Sequence, residues 1–183
     1  MKNLEKKDIT IPIEKACKRG FLTILPIFIL LIAGYYLING WYDWSIQPWR
    51  DYFTIVGIFI VGFVIHEFIH AVGWAYNSEG KWKSIRFGYD YNYLKTYCDC
   101  TEAIKVGTYK LFKILPLFIT GIVPYLIGII TGNFHLSIAG SCLVAMCGVD
   151  LILVIMFRKV SNNSYIICND NPSIYGGEIY SEK

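Results

Sequence analysis

Apolar side chains gather along this sequence into four runs, from Phe21 to Ile38, Phe53 to Tyr76, Ile114 to Thr131 and Leu136 to Phe157. Each approaches or exceeds the roughly 18–20 residues that a helix needs to cross about 30 Å of hydrocarbon. Only Gly132 to His135 separates the third run from the fourth, so these two spans are expected to form a tight antiparallel hairpin. Pro26, Pro116 and Pro124 fall inside or at the edges of spans. A proline there leaves a carbonyl without its N–H partner, which a neighbouring helix can satisfy, and a kink is expected in the third span.

The connection from Asn77 to Lys113 changes period. Ile85, Phe87, Tyr89, Tyr91 and Tyr93 alternate with Ser84, Arg86, Gly88, Asp90 and Asn92, the signature of a strand. Ala103 to Tyr109 offers an antiparallel partner after a turn-like Cys98-Asp99-Cys100-Thr101. The expected fold is thus an all-α integral membrane protein with four transmembrane helices and a small cytoplasmic β-hairpin or sheet between helices 2 and 3. Residues 1–183 are expected to form a single membrane-embedded domain.

Composition narrows the class. At 183 residues with 55% hydrophobic and 17% charged side chains, the chain holds more apolar surface than a soluble domain of that size can hide. Disorder, coiled coil and collagen fail on hydrophobicity and repeat. The net charge of +3 makes no case for a nucleic-acid partner. Its distribution is more informative. Lys2, Lys6, Lys7, Lys15, Lys18 and Arg19 precede the first span, whereas residues 39 to 52 offer only Arg50. Lys81, Lys83, Arg86, Lys95, Lys105, Lys110 and Lys113 lie between spans two and three, and Arg158 and Lys159 follow the fourth. Basic residues accumulate on the cytoplasmic side, so both termini and the middle loop are expected there. Tyr35, Tyr36, Trp41, Tyr42, Trp44, Trp49 and Tyr52 supply the aromatic belt of the outer interface. The first span is too long for a signal-peptide core and lacks a clean cleavage site, so it is read as retained.

Within these spans the acidic and basic side chains are Glu67 and Asp150 alone, and the second span adds His66 and His70. An ionisable group at that depth costs about 2.5–3.5 kcal/mol even on lenient insertion scales, and marks a functional site. His66-Glu67-Phe68-Ile69-His70 reads H-E-x-x-H. On a helix, residues four apart lie one above the other, so both imidazoles can face one metal, with Glu67 turned about 100° aside as a general base. A catalytic zinc takes three protein ligands, and Asp150 is the candidate for the third. Counted from the outer span ends, His66 lies about 20 Å deep, His70 about 26 Å and Asp150 about 21 Å, which are compatible levels. Small residues Ser141, Ala145 and Gly148 are expected to let the fourth span approach the second. Asp170 and Glu102 are the fallback acids.

These residues resemble intramembrane metalloproteases of the site-2 protease type, and more closely a bacterial membrane family of unknown function described as zincin peptidases. The similar parts are His66 to His70, the stretch from Cys100 through Lys105, Val106 and Tyr109 to Pro116, Gly148-Val149-Asp150, and Asp170-Asn171-Pro172-Ser173. The resemblance implies Zn2+ held by His66, His70 and Asp150, with Glu67 as base, in a bacterial cytoplasmic membrane. Leu151 follows Asp150, where the site-2 protease pattern has glycine. The expected function is a zinc-dependent metallopeptidase whose partners are the lipid bilayer and a membrane-protein or peptide substrate. The alternatives are a non-catalytic adaptor with a structural metal, or a metal-ion carrier. Cys98 and Cys100 read as reduced thiols, Cys142 and Cys147 as apolar packing, and His135 as a solvated loop residue.

Overall fold

The computed structural model describes residues 4–43, 47–91, 95–168 and 173–182. Among the described residues, four helical segments are long and apolar enough to cross a membrane: Ile13–Asn39, Pro48–Asn77, Val106–Thr131 and Phe134–Lys159. The first is helix α1 (Ile13–Asn39) and the second α2 (Pro48–Asn77). The third comprises α3 (Val106–Pro116), a π-helical stretch Leu117–Ile122 between Pro116 and Pro124, and α4 (Val123–Thr131). The fourth, expected as one continuous helix, is broken at Cys147 into α5 (Phe134–Met146) and α6 (Gly148–Met156).

Each spanning segment starts earlier than its apolar run. Hydropathy marks where side chains suit hydrocarbon, whereas helix ends depend on who satisfies the first N–H groups. For α3 the backbone N–H of Val106 reaches the Ser164 carbonyl at 2.8 Å and that of Gly107 the Asn162 carbonyl at 3.1 Å. Lys110 Nζ adds bonds to Val160 O at 2.8 Å and Asn162 Oδ1 at 2.9 Å. Helix therefore begins at Val106, and Lys113 lies inside it. The α4–α5 turn is tight, with Gly132 in the left-handed region at φ 66° and Asn133 Oδ1 accepting from Leu136 N at 3.0 Å.

The strands exceed the small hairpin or sheet expected between helices 2 and 3. One sheet of two strands pairs β2 (Ile85–Asp90) with β3 (Lys95–Cys100). Cys98-Asp99-Cys100 is thus strand rather than turn. Cys98 pairs with Phe87 and Cys100 with Ile85, so the thiols share the apolar face. Asn92 and Tyr93, given to the first strand by their alternation, lie outside the described residues. Ala103 to Tyr109 is not its partner. Ile104–Lys105 forms β4, which pairs with β5 (Tyr165–Cys168), and Val106 opens α3.

A second sheet has the order β1-β6-β5-β4, where β1 is Leu4–Pro12 and β6 is Ile174–Glu182. It joins the N-terminal segment, the stretch before α3 and the C-terminal segment at one end of the helices. The core sits at this sheet end, where Trp74, Cys98, Cys100, Ile104, Tyr109, Leu153, Phe157, Ile166 and Ile179 are buried together.

The turn end holds a polar cluster. Asp51 is buried, accepting from Tyr42 OH at 2.9 Å and pairing with His135 Nε2 at 3.0 Å. His135 is therefore half-buried and bonded, not a solvated loop residue. Trp44 of the outer aromatic belt lies outside the described residues.

Gly148 meets α1 rather than α2. A Cβ on Gly20 would lie 2.8 Å from Gly148 C, so backbone faces backbone there. Gly20→Leu is expected to destabilise by about 1–3 kcal/mol, as overpacking does, lowering the melting temperature in detergent. A Cβ added at Gly57 would meet nothing within 4 Å, and Gly57→Ala should leave the melting temperature unchanged or raise it.

Burial pushes the Cys98 thiol from 9.0 up to about 12, with the Glu67 carboxylate adding to the effect. Its folded-state pKa is raised, so its contribution to stability is complete below pH 9 and is lost as pH rises through about 12. Alkylation at pH 9 should modify exposed Cys17 and spare Cys98 until the protein unfolds.

Candidate metal centre

Helix α2 carries the H-E-x-x-H segment near its sheet end. Residues four apart present side chains to one face, and here that face turns inward: His66 and His70 are each 2% exposed. Their rings stand edge to face with centroids 4.9 Å apart. Asp150, in the first turn of α6, enters from the other side because the helix restarts at Gly148 after the break. His66 Nε2 lies 3.2 Å and His70 Nε2 3.5 Å from the same oxygen, Asp150 Oδ2. The structure thus brings together His66, His70 and Asp150.

Glu67 is half-buried on the adjoining face of α2. Its carboxylate acts on the Cys98 thiol of β3, adding to the upward push of burial there. Glu102 is elsewhere, its Oε2 accepting from Gly80 N at 2.9 Å. Asp170 lies outside the described residues.

Three residues at the centre had no signal in the apolar pattern. Lys113 Nζ pairs with Asp150 Oδ1 at 2.9 Å and sits 5.9 Å over the Trp74 ring. It stands one position before the apolar run, where a lysine reads as an interfacial charge. Cys147 Sγ lies 3.8 Å from His66 Nδ1 and 3.2 Å from Leu143 O. The Phe112 carbonyl is 2.7 Å from His70 Nδ1. A carbonyl only accepts, so in that contact Nδ1 carries the hydrogen and Nε2 is the nitrogen turned to Asp150.

Residues 59–165, more than half of the chain, match the family described as putative zincin peptidase. This chain belongs to that family. No curated protein and no solved structure matches it.

The zincin description implies zinc, and the donor set fits it. Two imidazole nitrogens and a carboxylate oxygen are zinc donors, and bonds of about 2.0–2.2 Å put tetrahedral ligands about 3.3–3.5 Å apart. The two histidine-to-carboxylate separations, 3.2 and 3.5 Å, are of that order, while the donor atoms that all lie within 4.8 Å of one another are those of His66, Cys147 and Asp150. Cys147 is a further candidate donor, because its sulfur lies within 4.8 Å of donor atoms of His66 and Asp150. Its thiol faces Nδ1 of His66, however, while Nε2 is the atom turned to Asp150. Cys147→Ala is therefore expected to keep the zinc content of the wild type, whereas His70→Ala loses it. Metal analysis of the purified variants separates the two donor sets.

Proposed function

We propose that this protein is an integral-membrane zinc metallopeptidase that hydrolyses peptide bonds of membrane-protein or peptide substrates at the cytoplasmic side of a bacterial cytoplasmic membrane. The observation that carries the reading is the convergence of both H-E-x-x-H imidazoles on one oxygen of Asp150, with the half-buried Glu67 between them on α2. His66, His70 and Asp150 would hold the metal. Zinc, when bound, supplies Lewis acidity that polarises a carbonyl and lowers the pKa of a water toward about 7. Glu67 takes the proton of the attacking water on its carboxylate and delivers it to the nitrogen of the leaving amine. Burial of the two histidines and Asp150 excludes bulk water from the donor atoms, which strengthens every charge interaction among them.

The orientation follows from charge. Lys6, Lys7, Lys15, Lys18, Arg19, Lys105, Lys110, Arg158 and Lys159 belong to segments at the sheet end, while Arg50 stands at the turn end. The sheet end is therefore assigned to the cytoplasm. His70 lies two turns, about 10 Å, before α2 ends at Asn77, so the site lies nearer that side.

Glu67→Gln keeps nearly the same shape as the native side chain. It should retain zinc while hydrolysis of an unfolded-protein or membrane-peptide substrate falls by about 10²–10⁴-fold. Asp150→Asn should lose zinc affinity and activity together, since an amide is a poor zinc ligand. A Glu67→Gln protein with wild-type turnover would overturn the catalytic reading.

A further inference from the structure

The neighbour of the donor atoms that comes from the third span is a single turn of α3. Phe112 gives its carbonyl to His70, and the next residue, Lys113, gives its ammonium to Asp150. In an α-helix the carbonyl of residue 112 accepts from the N–H of residue 116. Residue 116 is Pro116, which has no N–H to give. The orphaned carbonyl is the one that meets His70.

We infer that Pro116, Phe112 and Lys113 are positioning residues for the metal centre: the missing N–H of Pro116 frees the Phe112 carbonyl to fix the His70 ring, while Lys113 occupies one oxygen of Asp150. This inference rests on the zinc reading above.

Three further observations support it. A Cβ on Gly73 would collide with Phe112, so α2 and α3 approach closely only because position 73 is glycine. Trp74 stacks on His70 with planes 10° apart and is itself held by Nε1 to Cys98 O at 3.3 Å. The same indole lies under Lys113 Nζ, so one ring supports both the histidine and the lysine. Each support fixes which atom a ligand presents. With hydrogen on Nδ1, His70 offers Nε2; with Oδ1 bound to Lys113, Asp150 offers Oδ2 alone.

The test measures zinc affinity of the purified protein in detergent by chelator competition, with the visible absorption of the Co2+-loaded form as a coordination signature. Pro116→Ala restores a competing N–H for the Phe112 carbonyl while improving helix propensity. It should weaken zinc binding about 10–100-fold without lowering the melting temperature of the zinc-free protein. Lys113→Met should weaken binding similarly and diminish the absorption as Asp150 becomes free to chelate, with Lys113→Arg restoring the wild-type spectrum. Zinc affinity within about twofold of wild type for either variant overturns the role given to that residue. The tautomer of His70 in zinc-free wild type, read from imidazole nitrogen shifts, needs no variant to fold. Hydrogen on Nδ1 is expected, and a ring with hydrogen on Nε2 alone overturns the inference. A wild type that binds zinc no better than His66→Ala would instead overturn the zinc reading itself, and the wild-type arm tells the two failures apart.

Discussion

The carboxylate of Asp150 is where three spans meet. Lys113 from α3 lies at 2.9 Å, His66 and His70 from α2 at 3.2 and 3.5 Å, and the acid itself opens α6. A carboxylate among apolar helices is costly unless it is paired and hydrogen-bonded. Once these partners are in place, removing any one leaves the others buried without compensation. Site and fold therefore share one constraint, because the groups suited to hold a metal are those that set the register of α2, α3 and α6. The aromatic stack of His70, Trp74 and Tyr109, with Phe157 edge-on to Tyr109, packs around that point and continues it into the sheet-end core.

The break at Cys147 belongs to the same geometry. An unbroken fourth helix would carry Asp150 round on the period of α5. The restart at Gly148 sets a new phase, with Gly148 lodged against the backbone of Gly20 and Cys147 turned to His66. A glycine on each side of the α1 contact lets the chain turn there without a side chain between the helices.

How far these features could be read from the sequence depended on how local their cause is. His66, Glu67, His70 and Asp150 stand out because each interrupts an apolar run, and the cost of that interruption is visible residue by residue. Lys113 does not stand out, because a lysine at the edge of a run is what an interface ordinarily holds. Only the bonds from Val106 and Gly107 to Ser164 and Asn162 draw it inside a helix, and they come from the far side of the fourth span. Cys147 is small and apolar until its neighbour is known. Ile85, Phe87 and Tyr89 announced a strand, but its partner carried cysteines where β-branched residues are usual. The four-stranded sheet was illegible for a related reason: β1 shows only Ile9 and Ile11 as apolar alternation, and its partner β6 lies at the opposite end of the chain.

Helix α2 has polar anchors at both ends and lipid-facing side chains between them. Ile60, Val61, Val64, Ile65 and Phe68 are exposed, while Asp51 at one end and His66 and His70 toward the other are buried among partners. Lipid tails are as apolar as those side chains, so burying them against another helix would gain little. The axial position of α2 is then set less by apolar packing than by two polar clusters about 22 Å apart along the helix, at about 1.5 Å per residue from Asp51 to His66. The Asp51, Tyr42 and His135 cluster fixes the turn end to α5. The sheet end is fixed through Asp150 to α6 and through the Phe112 carbonyl to α3. With one end anchored far from the chemistry, His66 and His70 are held at a set depth against Asp150, and the half-buried Glu67 between them is held with them.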